Sequence, residues 1–203
     1  MRLLVTGFEP FGGETINPSW EVAQRLPNLL DAEVHAALLP VHAQRVRAAL
    51  DEAIARARPD LLLSLGQAGR RFEVTPERIA INLVAYRDEA GEPREEPIEP
   101  DGPAAYFTTL DLKRMVAAMR EAGVPAQISN SAGAYICNEV AYLAQHRNAR
   151  TLRPIPAGFI HLPYLPQQVV NKPGVPSMAL ETMLAGVAAA LRAIVAEPAV
   201  ASA

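Results

Sequence analysis

The chain has 203 residues, half of them hydrophobic, and a formal net charge of −3. This length is enough to bury one full hydrophobic core, and the charge gives no electrostatic reason to expect nucleic acid or an anionic membrane as a partner. The single cysteine cannot form an internal disulfide, so we expect a reducing, cytoplasmic location. The first apolar run is too short for a signal sequence, and no run approaches the roughly 18 apolar residues that span a bilayer.

Apolar runs bounded by glycine or proline predict six strands in chain order, at residues 2–6, 33–39, 60–65, 77–83, 124–129 and 156–162. Near-helical spacing of apolar residues predicts five helices, at residues 20–26, 43–58, 112–122, 134–146 and 177–195. The longest irregular region, residues 86–106, contains four prolines and seven acidic residues. It could be a lid, a subunit contact or a plain solvated loop.

Strands that alternate with helices of ten or more residues are typical of the α/β class. We predict a three-layer α/β/α sandwich around a mostly parallel, twisted mixed sheet. No internal repeat or linker divides the chain, so residues 1–203 are predicted to form a single domain. Sites in such folds lie beyond the carboxyl ends of the strands. We therefore expect Cys137 and His161 on the same side of the sheet.

Cys137 lies in the stretch SNSAGAYICNEVAY, residues 129–142, which predicts a strand, a tight turn and a helix. Free backbone N–H groups and the positive end of the dipole in a helix's first turn stabilise a thiolate, which is the nucleophilic form. The alternative is that a lone cysteine in an apolar setting is a small buried hydrophobic residue. From the residues alone, that alternative is favoured.

His161 ends a predicted strand, where a general base would be placed, although a lone strand-end histidine is more often structural. Glu77 opens a strand and could orient an imidazole or simply pair with Arg78. With Cys137, these residues supply the parts of a thiol hydrolase. No histidine pair has metal-ligand spacing and Cys137 has no CxxC partner, so we predict no metal site. The pattern alone gives a cytosolic α/β hydrolase, with thiol dependence left open.

The loop at residues 7–19 begins GFEPFGGE. Its glycines are spaced as in a phosphate-binding loop, but Gly13-Glu14 stands where that loop requires lysine and a hydroxyl residue, which argues against phosphate binding. Phe8 and Phe11 lie three residues apart in this loop. Either one of them fills the core beneath the loop, or the two rings clamp a flat, uncharged ligand on both faces.

Six segments in order resemble the pyroglutamyl peptidase I family, also called pyrrolidone-carboxylate peptidases. They are VTGFEPFGGETINPSW (5–20), GQAG (66–69), TPERIAINL (75–83), GPAAYFTTL (102–110), ISNSAGAYICN (128–138) and GFIHLPYLP (158–166). The resemblance runs from residue 3 to about residue 190. It implies a cytosolic cysteine peptidase that removes pyroglutamate from N-terminally pyroglutamylated peptides. It also implies an α/β/α fold, no metal or cofactor, and a homo-oligomer, either a tetramer or a dimer.

The resemblance implies specific roles for residues of this chain. Cys137 falls on the family's nucleophile, His161 on its histidine and Glu77 on its acidic residue. Cys137 would form an acyl-enzyme, with its own backbone N–H as one oxyanion donor. The residues that match the substrate pocket are Phe8, Phe11, Asn17, Gln67, Arg71, Tyr135 and Ile136. Among the polar ones, Gln67 is the better candidate for a contact to the lactam ring.

The chain departs from the family pattern at two places. Arg70 stands where the family usually has glycine, so a positive φ at that position would be strained. The run VAYRDEAGEP, residues 84–93, is about two residues shorter than in the family, by an alignment whose element boundaries are approximate. That change leaves the peptide preference beyond the first residue open. A thiol amidase acting on another small lactam or amide, or a catalytically silent binding protein, are the alternative functions.

Overall fold

The computed structural model of the chain describes residues 1–87, 91 and 93–196. Residues 88–90, 92 and 197–203 lie outside the described residues; they include part of the altered run 84–93 and the end of the predicted domain, residues 1–203. The strands are β1 (Arg2–Phe8), β2 (Glu33–Leu39), β3 (Leu61–Gln67), β4 (Thr75–Pro76), β5 (Ile79–Ile81), β6 (Val84–Arg87), β7 (Pro93–Glu96), β8 (Ala105–Phe107) and β9 (Ala157–Leu162). The helices are α1 (Pro18–Ala23), α2 (Val46–Ala57), α3 (Leu112–Glu121), α4 (Ile136–Ala149) and α5 (Leu180–Val195).

The central sheet has five strands in the order β2-β1-β3-β9-β4. The first four are parallel, and β4 runs antiparallel to β9 at one edge. Helices α1, α3 and α5 pack on one face, and α2 and α4 pack on the other. The predicted single-domain sandwich around a mostly parallel mixed sheet is confirmed.

Two apolar clusters form because successive side chains of a strand point to opposite faces. Leu3, Leu63 and Ile160 belong to the cluster under α1, α3 and α5. Leu4 and Phe159 belong to the cluster under α2 and α4. Every residue of β3 is buried, as expected for a strand covered by helices on both faces.

Two predictions about the middle of the chain are wrong. Residues 124–129 do not form a strand; they run beside residues 74–78 and meet them only at isolated bridges, from Ala126 to Val74 and from Ser129 to Glu77. Pro125 contributes to this, because it has no N–H to offer a ladder. The predicted strand at 77–83 also has the wrong bounds. Its first two residues lie between β4, which ends at Pro76, and β5, which begins at Ile79.

The region 86–106 is not irregular throughout. Strands β6 and β7 pair as an antiparallel hairpin, and β8 pairs with β5. β5 and β8 are separated by more than 20 residues, and the hairpin strands are mostly polar and exposed, so a local apolar pattern reveals neither pairing. Among the described residues, none of the helices has both the length and the apolar composition that a membrane crossing requires.

Candidate active site

His161 and Gly66 lie side by side at the carboxyl ends of two neighbouring parallel strands, β9 and β3. Residues paired in this way present their side chains on the same face of the sheet. Gly66 has no side chain, and a methyl group there would lie only 2.9 Å from Cys137 Sγ. The thiol therefore occupies the space above Gly66, on the face that carries His161, as the sequence predicted.

The imidazole of His161 is held by a buried carboxylate. Its Nδ1 lies 2.7 Å from Glu77 Oε1, and the two residues are 4% and 2% exposed. Glu77 follows β4 directly, and its backbone N–H donates to Phe159 O on β9 at 2.9 Å. The carboxylate accepts from Nδ1–H, so Nε2 keeps its lone pair and is the ring nitrogen that can take a proton.

Arg71 lies on the other side of the same carboxylate. Its Nη1 is 2.5 Å from Glu77 Oε1 and also donates to the hydroxyl of Thr75. Its Nη2 donates to the backbone carbonyl of Ser131 at 3.1 Å. The residue predicted to contact substrate is thus bonded to the candidate catalytic carboxylate and to the turn that precedes Cys137.

Cys137 is the second residue of α4, and Tyr135 is the N-cap. The adjacent Asn138 fixes this first turn: its amide pairs with both backbone groups of Ile81 and donates to Leu83 O, all at 2.9 Å. The first N–H groups of an α-helix have no partner within the helix. The N–H of Cys137 can therefore stabilise an oxyanion that forms beside the sulfur.

The expected thiolate at rest is not what the structure indicates. Burial and, to a smaller extent, the negative charge of Glu77 raise the pKa of the Cys137 thiol to about 12, against the opposing effects of Arg71 and the residue's own N–H. Cys137 is 6% exposed and lies within the apolar cluster under α2 and α4. Desolvation of the charged sulfur therefore outweighs the helix N-terminus.

Burial also lowers the pKa of His161, although its hydrogen bond to Glu77 acts in the opposite direction. At neutral pH the thiol and the imidazole are consequently both uncharged. With both groups uncharged, the arrangement allows the imidazole to take the thiol proton as the sulfur attacks, which is general-base activation.

The two phenylalanines of the first loop lie in different environments. Phe8 is 1% exposed and packs in the core, with its ring centroid 6.4 Å from that of Phe159. Phe11 is half-buried, and its ring lies 6.0 Å from Tyr135. Phe8 thus matches the alternative in which one ring fills the core. Ile136, which is next to Cys137 in sequence, is also buried. Their contacts with substrate stay predictions.

Asn17 and Gln67 are buried polar residues. Asn17 caps α1: its Oδ1 accepts from the N–H and hydroxyl of Ser19, and its Nδ2 donates to Glu9 O at 2.9 Å. Gln67 follows Gly66 and thus points to the opposite face, where its Oε1 accepts from Gln168 Nε2 at 2.8 Å. Both side chains hold the loops that surround the site, and contacts to a lactam stay predicted.

A second buried carboxylate belongs to Glu139, the residue that follows Asn138 in α4. It connects α4 to the β6–β7 hairpin through hydrogen bonds. Its Oε2 accepts from Tyr86 Oη at 3.2 Å and from Arg94 Nη1 at 3.4 Å. The Tyr86 ring meets Tyr135 edge-on at 4.6 Å. Burial raises the pKa of Glu139, an effect that Arg94 opposes. This cluster fixes the outer side of Tyr135.

The strain considered at Arg70 does not arise. Among the described residues, Arg58 is the one non-glycine with a left-handed φ, at 45°. The neighbouring Gly69 is required for another reason, since a methyl group on it would lie 2.1 Å from the Tyr164 ring. Close packing, and not backbone conformation, constrains this loop.

Several residues of the site received no role from the sequence. Asn138 stands in the segment ISNSAGAYICN, where a polar side chain next to Cys137 was a usable signal. Gln168 and Glu139 had no signal, because their importance depends on partners more than 50 residues away, such as Gln67 for Gln168 and Tyr86 for Glu139.

Comparison with known proteins agrees with this geometry. A family model described as pyroglutamyl peptidase matches residues 1–197. The chain belongs to this family. The pyrrolidone-carboxylate peptidase of Levilactobacillus brevis is 48% identical over 202 residues, which cover 96% of this chain and 98% of that protein. That of Bacillus licheniformis is 47% identical over 191 residues, covering 91% of this chain and 88% of that protein.

Solved structures of the family have the same fold. Pyroglutamyl peptidase I of Bacillus amyloliquefaciens is 39% identical and superposes with a TM-score of 0.91 over 97% of each chain. A mutant pyrrolidone carboxyl peptidase from the hyperthermophile Pyrococcus furiosus is 41% identical, with a TM-score of 0.92 over 97% of this chain and 99% of that one. The family predicted from six sequence segments is confirmed.

Proposed function

We propose that this chain is a cysteine peptidase that hydrolyses the bond after an N-terminal pyroglutamyl residue, with Cys137, His161 and Glu77 as its catalytic residues. The observation that carries this proposal is the hydrogen bond from His161 Nδ1 to the buried Glu77, on the same sheet face as the Cys137 sulfur. Membership of the pyroglutamyl peptidase family supplies the substrate class.

The first half of the reaction acylates the enzyme. His161 Nε2 takes the proton from Cys137 Sγ while the sulfur forms a bond to the carbonyl carbon that follows the lactam ring. Charge develops on the carbonyl oxygen, which the N–H of Cys137 stabilises. The imidazolium is stabilised by Glu77 and then protonates the leaving amine as the carbon–nitrogen bond breaks.

The second half releases the product. The imidazole, again neutral, takes a proton from water as the water oxygen attacks the thioester. The carbon–sulfur bond breaks, the thiol recovers its proton from the imidazolium, and pyroglutamate leaves. Glu77 keeps the same imidazole orientation throughout, because its carboxylate is fixed between Nδ1 and Arg71.

The proposed recognition of pyroglutamate rests on the shape and polarity of the ring. The lactam is flat and lacks a charged amine, so apolar side chains suit its faces, and we assign these to Phe8, Phe11, Tyr135 and Ile136. Asn17 and Gln67 are assigned to the polar edge, with Gln67 as the better candidate for a polar contact, although its side chain bonds Gln168 on the face opposite Cys137. A ring-opened glutaminyl residue carries a charged amine, which such a pocket would leave unpaired.

We further propose that the residues 1–203 act as one catalytic domain in the cytoplasm and assemble as a homo-oligomer, a tetramer or a dimer. The lone cysteine supports a reducing compartment. Exposed aromatic side chains at Phe72 and Phe107, 65% and 68% exposed, support a subunit contact. Light scattering of the purified protein tests the assembly, and a monomer at micromolar concentration would contradict it.

The function is tested with matched coumarin amides of pyroglutamate, proline and glutamine. We expect rapid release from the pyroglutamyl compound and little from the other two. Cys137→Ala should lose roughly 10⁵-fold or more in kcat, because no other group of the site can act as the nucleophile. Equal rates on all three amides would favour a broader thiol amidase, and full activity of Cys137→Ala would contradict the mechanism.

A further inference from the structure

Arg71 is the one cationic side chain bonded to the proposed catalytic carboxylate in the described part of the chain. It lies in the loop between β3 and β4, about three-quarters buried, and its guanidinium contacts three groups: Glu77, Thr75 and the Ser131 carbonyl. All three belong to the protein. The planar, five-donor geometry of guanidinium allows such simultaneous contacts, which a lysine ammonium cannot reproduce in the same arrangement.

The first contact concerns how Glu77 is oriented. Oε1 accepts from His161 Nδ1 at 2.7 Å and from Arg71 Nη1 at 2.5 Å. Oε2 is buried and has no hydrogen-bond partner among the described residues. The carboxylate is therefore held entirely through one oxygen, and the imidazole and the guanidinium together determine its rotation. Without the guanidinium, either oxygen could face the imidazole.

The same contact between Arg71 and Glu77 also concerns charge. Glu77 is 2% exposed, and a buried carboxylate is costly unless an opposite charge or several donors pair with it. The neutral imidazole contributes one hydrogen bond but no charge at rest. Arg71 contributes both, so it compensates the buried carboxylate that faces the imidazole.

The third contact reaches the nucleophile. Arg71 Nη2 donates to Ser131 O, in the turn SAG that leads into α4 and Cys137. One side chain thus links the edge of the sheet, where Glu77 and His161 lie, to the segment that carries the sulfur.

We propose that Arg71 is a positioning residue of the proposed hydrolysis: it orients Glu77 toward His161 and fixes the turn before Cys137, and it does not bind the substrate. This inference rests on the proposed function for its kinetic test. It replaces the substrate contact that the sequence suggested for Arg71, because each of its observed partners is a group of the catalytic framework.

The charge of Arg71 gives this role a measurable signature. Among the described residues, the charged or titratable side chains near His161 are those of Glu77 after β4, Arg71 in the β3–β4 loop and Cys137 in α4. Arg71 lowers the pKa of both His161 and Cys137, whereas Glu77 raises both. Removing the guanidinium charge therefore raises the pKa of His161, and the acid limb of kcat/KM moves to higher pH, because the base must be neutral to act.

The test compares Arg71→Met, Arg71→Lys and the matched control Arg70→Met, which removes an exposed arginine next in sequence. We expect Arg71→Met to lower kcat about 10–100-fold, as for other groups that orient active-site residues, and to move the acid limb to higher pH. Arg71→Lys keeps the positive charge but loses the planar guanidinium and its paired donors, so it should lower kcat without shifting the acid limb. Arg70→Met should change neither quantity.

A rise in KM alone for Arg71→Met would indicate substrate binding and overturn the proposal. A lower kcat with an unmoved acid limb, or no change at all, would also overturn it. If Arg71→Met does not fold, Arg71→Lys decides, and a wild-type kcat in that variant counts against the role.

Alkylation by iodoacetamide separates this inference from the proposed function, since it needs no turnover. At a fixed pH near 8, Arg71→Met should react more slowly at Cys137 than the wild type and Arg70→Met, because the thiol pKa rises. Equal alkylation rates would overturn the inference even if the wild type proved inactive on pyroglutamyl substrates. An inactive wild type with the predicted alkylation difference would remove the function and leave the role of Arg71 standing.

Discussion

The inner and outer sides of the site are built differently. On the inner side, Cys137, His161 and Glu77 are almost fully buried, and sheet hydrogen bonds fix the backbone of the last two. On the outer side, Phe11, Tyr135 and Tyr86 are only half-buried and contact one another through their rings. The inner side, fixed by backbone hydrogen bonds, suits bond making, and the outer side, formed by side-chain contacts, suits recognition. We therefore expect changes on the inner side to affect mainly kcat and changes on the outer side to affect mainly KM.

The largest effect is expected from His161→Ala on the inner side. This change removes the base that takes the thiol proton, and the thiol has a pKa of about 12. A thiol of that kind has little reactivity of its own, so kcat should fall about 10⁴-fold or more. Steady-state rates on a pyroglutamyl-coumarin amide measure this. A loss below tenfold would indicate a preformed thiolate and contradict general-base activation.

Glu77→Gln should lose less, roughly 10²- to 10⁴-fold in kcat, because the imidazole remains but loses the carboxylate that fixes Nδ1–H. The amide can also present its NH₂ to the ring and favour the wrong tautomer. Little change in kcat together with a raised KM would indicate that Glu77 contributes to substrate binding and not to catalysis. Circular dichroism of the variant checks that β4 and β9 still pair.

Gly66→Ala tests whether the space above Gly66 is needed for the sulfur. The added methyl group would lie 2.9 Å from Cys137 Sγ and 2.7 Å from Phe159 Cζ. We expect kcat to fall about 10–100-fold, since a displacement of about 1 Å at a reacting atom has that effect.

Gly186→Ala is the matched control for Gly66→Ala. Its methyl group would lie 2.9 Å from Val124 Cγ1, an equally close contact between α5 and the loop after α3. It should lower the melting temperature without changing kcat per folded molecule. Similar kcat losses in both variants would mean that general destabilisation, and not the position of the sulfur, explains the effect.

Arg94→Met tests the outer side. It removes the cation that lies over the Tyr86 ring at 5.5 Å and bonds Glu139, so the β6–β7 hairpin should hold Tyr135 less firmly. We expect KM to rise about two- to tenfold with kcat nearly unchanged, in line with the modest strength of a partly exposed ion pair. Glu95→Gln, an exposed change on the same strand, is the control. A fall in kcat that matches the inner-side variants would remove the distinction between the two sides.

The last prediction concerns stability at alkaline pH and not activity. The pKa of Cys137 is raised from 9.0 to about 12 by burial, so above about pH 9 the unfolded chain binds fewer protons than the folded one. Stability therefore falls as pH rises through that range, by up to about 1.4 kcal/mol per pH unit for one proton. Urea unfolding should show a steeper decline for the wild type than for Cys137→Ala. Parallel declines would mean that the thiol titrates normally in the folded state.

The sequence predicted the central strands well because each is a mostly apolar run bounded by breakers; residues 33–39, which stop at Pro40, match β2 fully. It failed at residues 86–106, where the hairpin strands carry few buried apolar residues and β8 pairs with the distant β5, and at residues 124–129, which meet residues 74–78 only at isolated bridges. It located Cys137 in a helix's first turn correctly. The charge state of the thiol could not be predicted, because it depends on burial in an apolar cluster, shared with Phe8 and Leu39, that forms only in the folded chain.

The central claim is that Cys137 forms an acyl-enzyme with His161 as its base. Mass spectrometry of enzyme quenched in acid during turnover of a pyroglutamyl substrate tests this most directly. The account predicts the mass of one pyroglutamyl acyl group on the peptide that contains Cys137, and no such adduct in His161→Ala. An active wild type without this adduct, under conditions where deacylation limits turnover, would contradict the account.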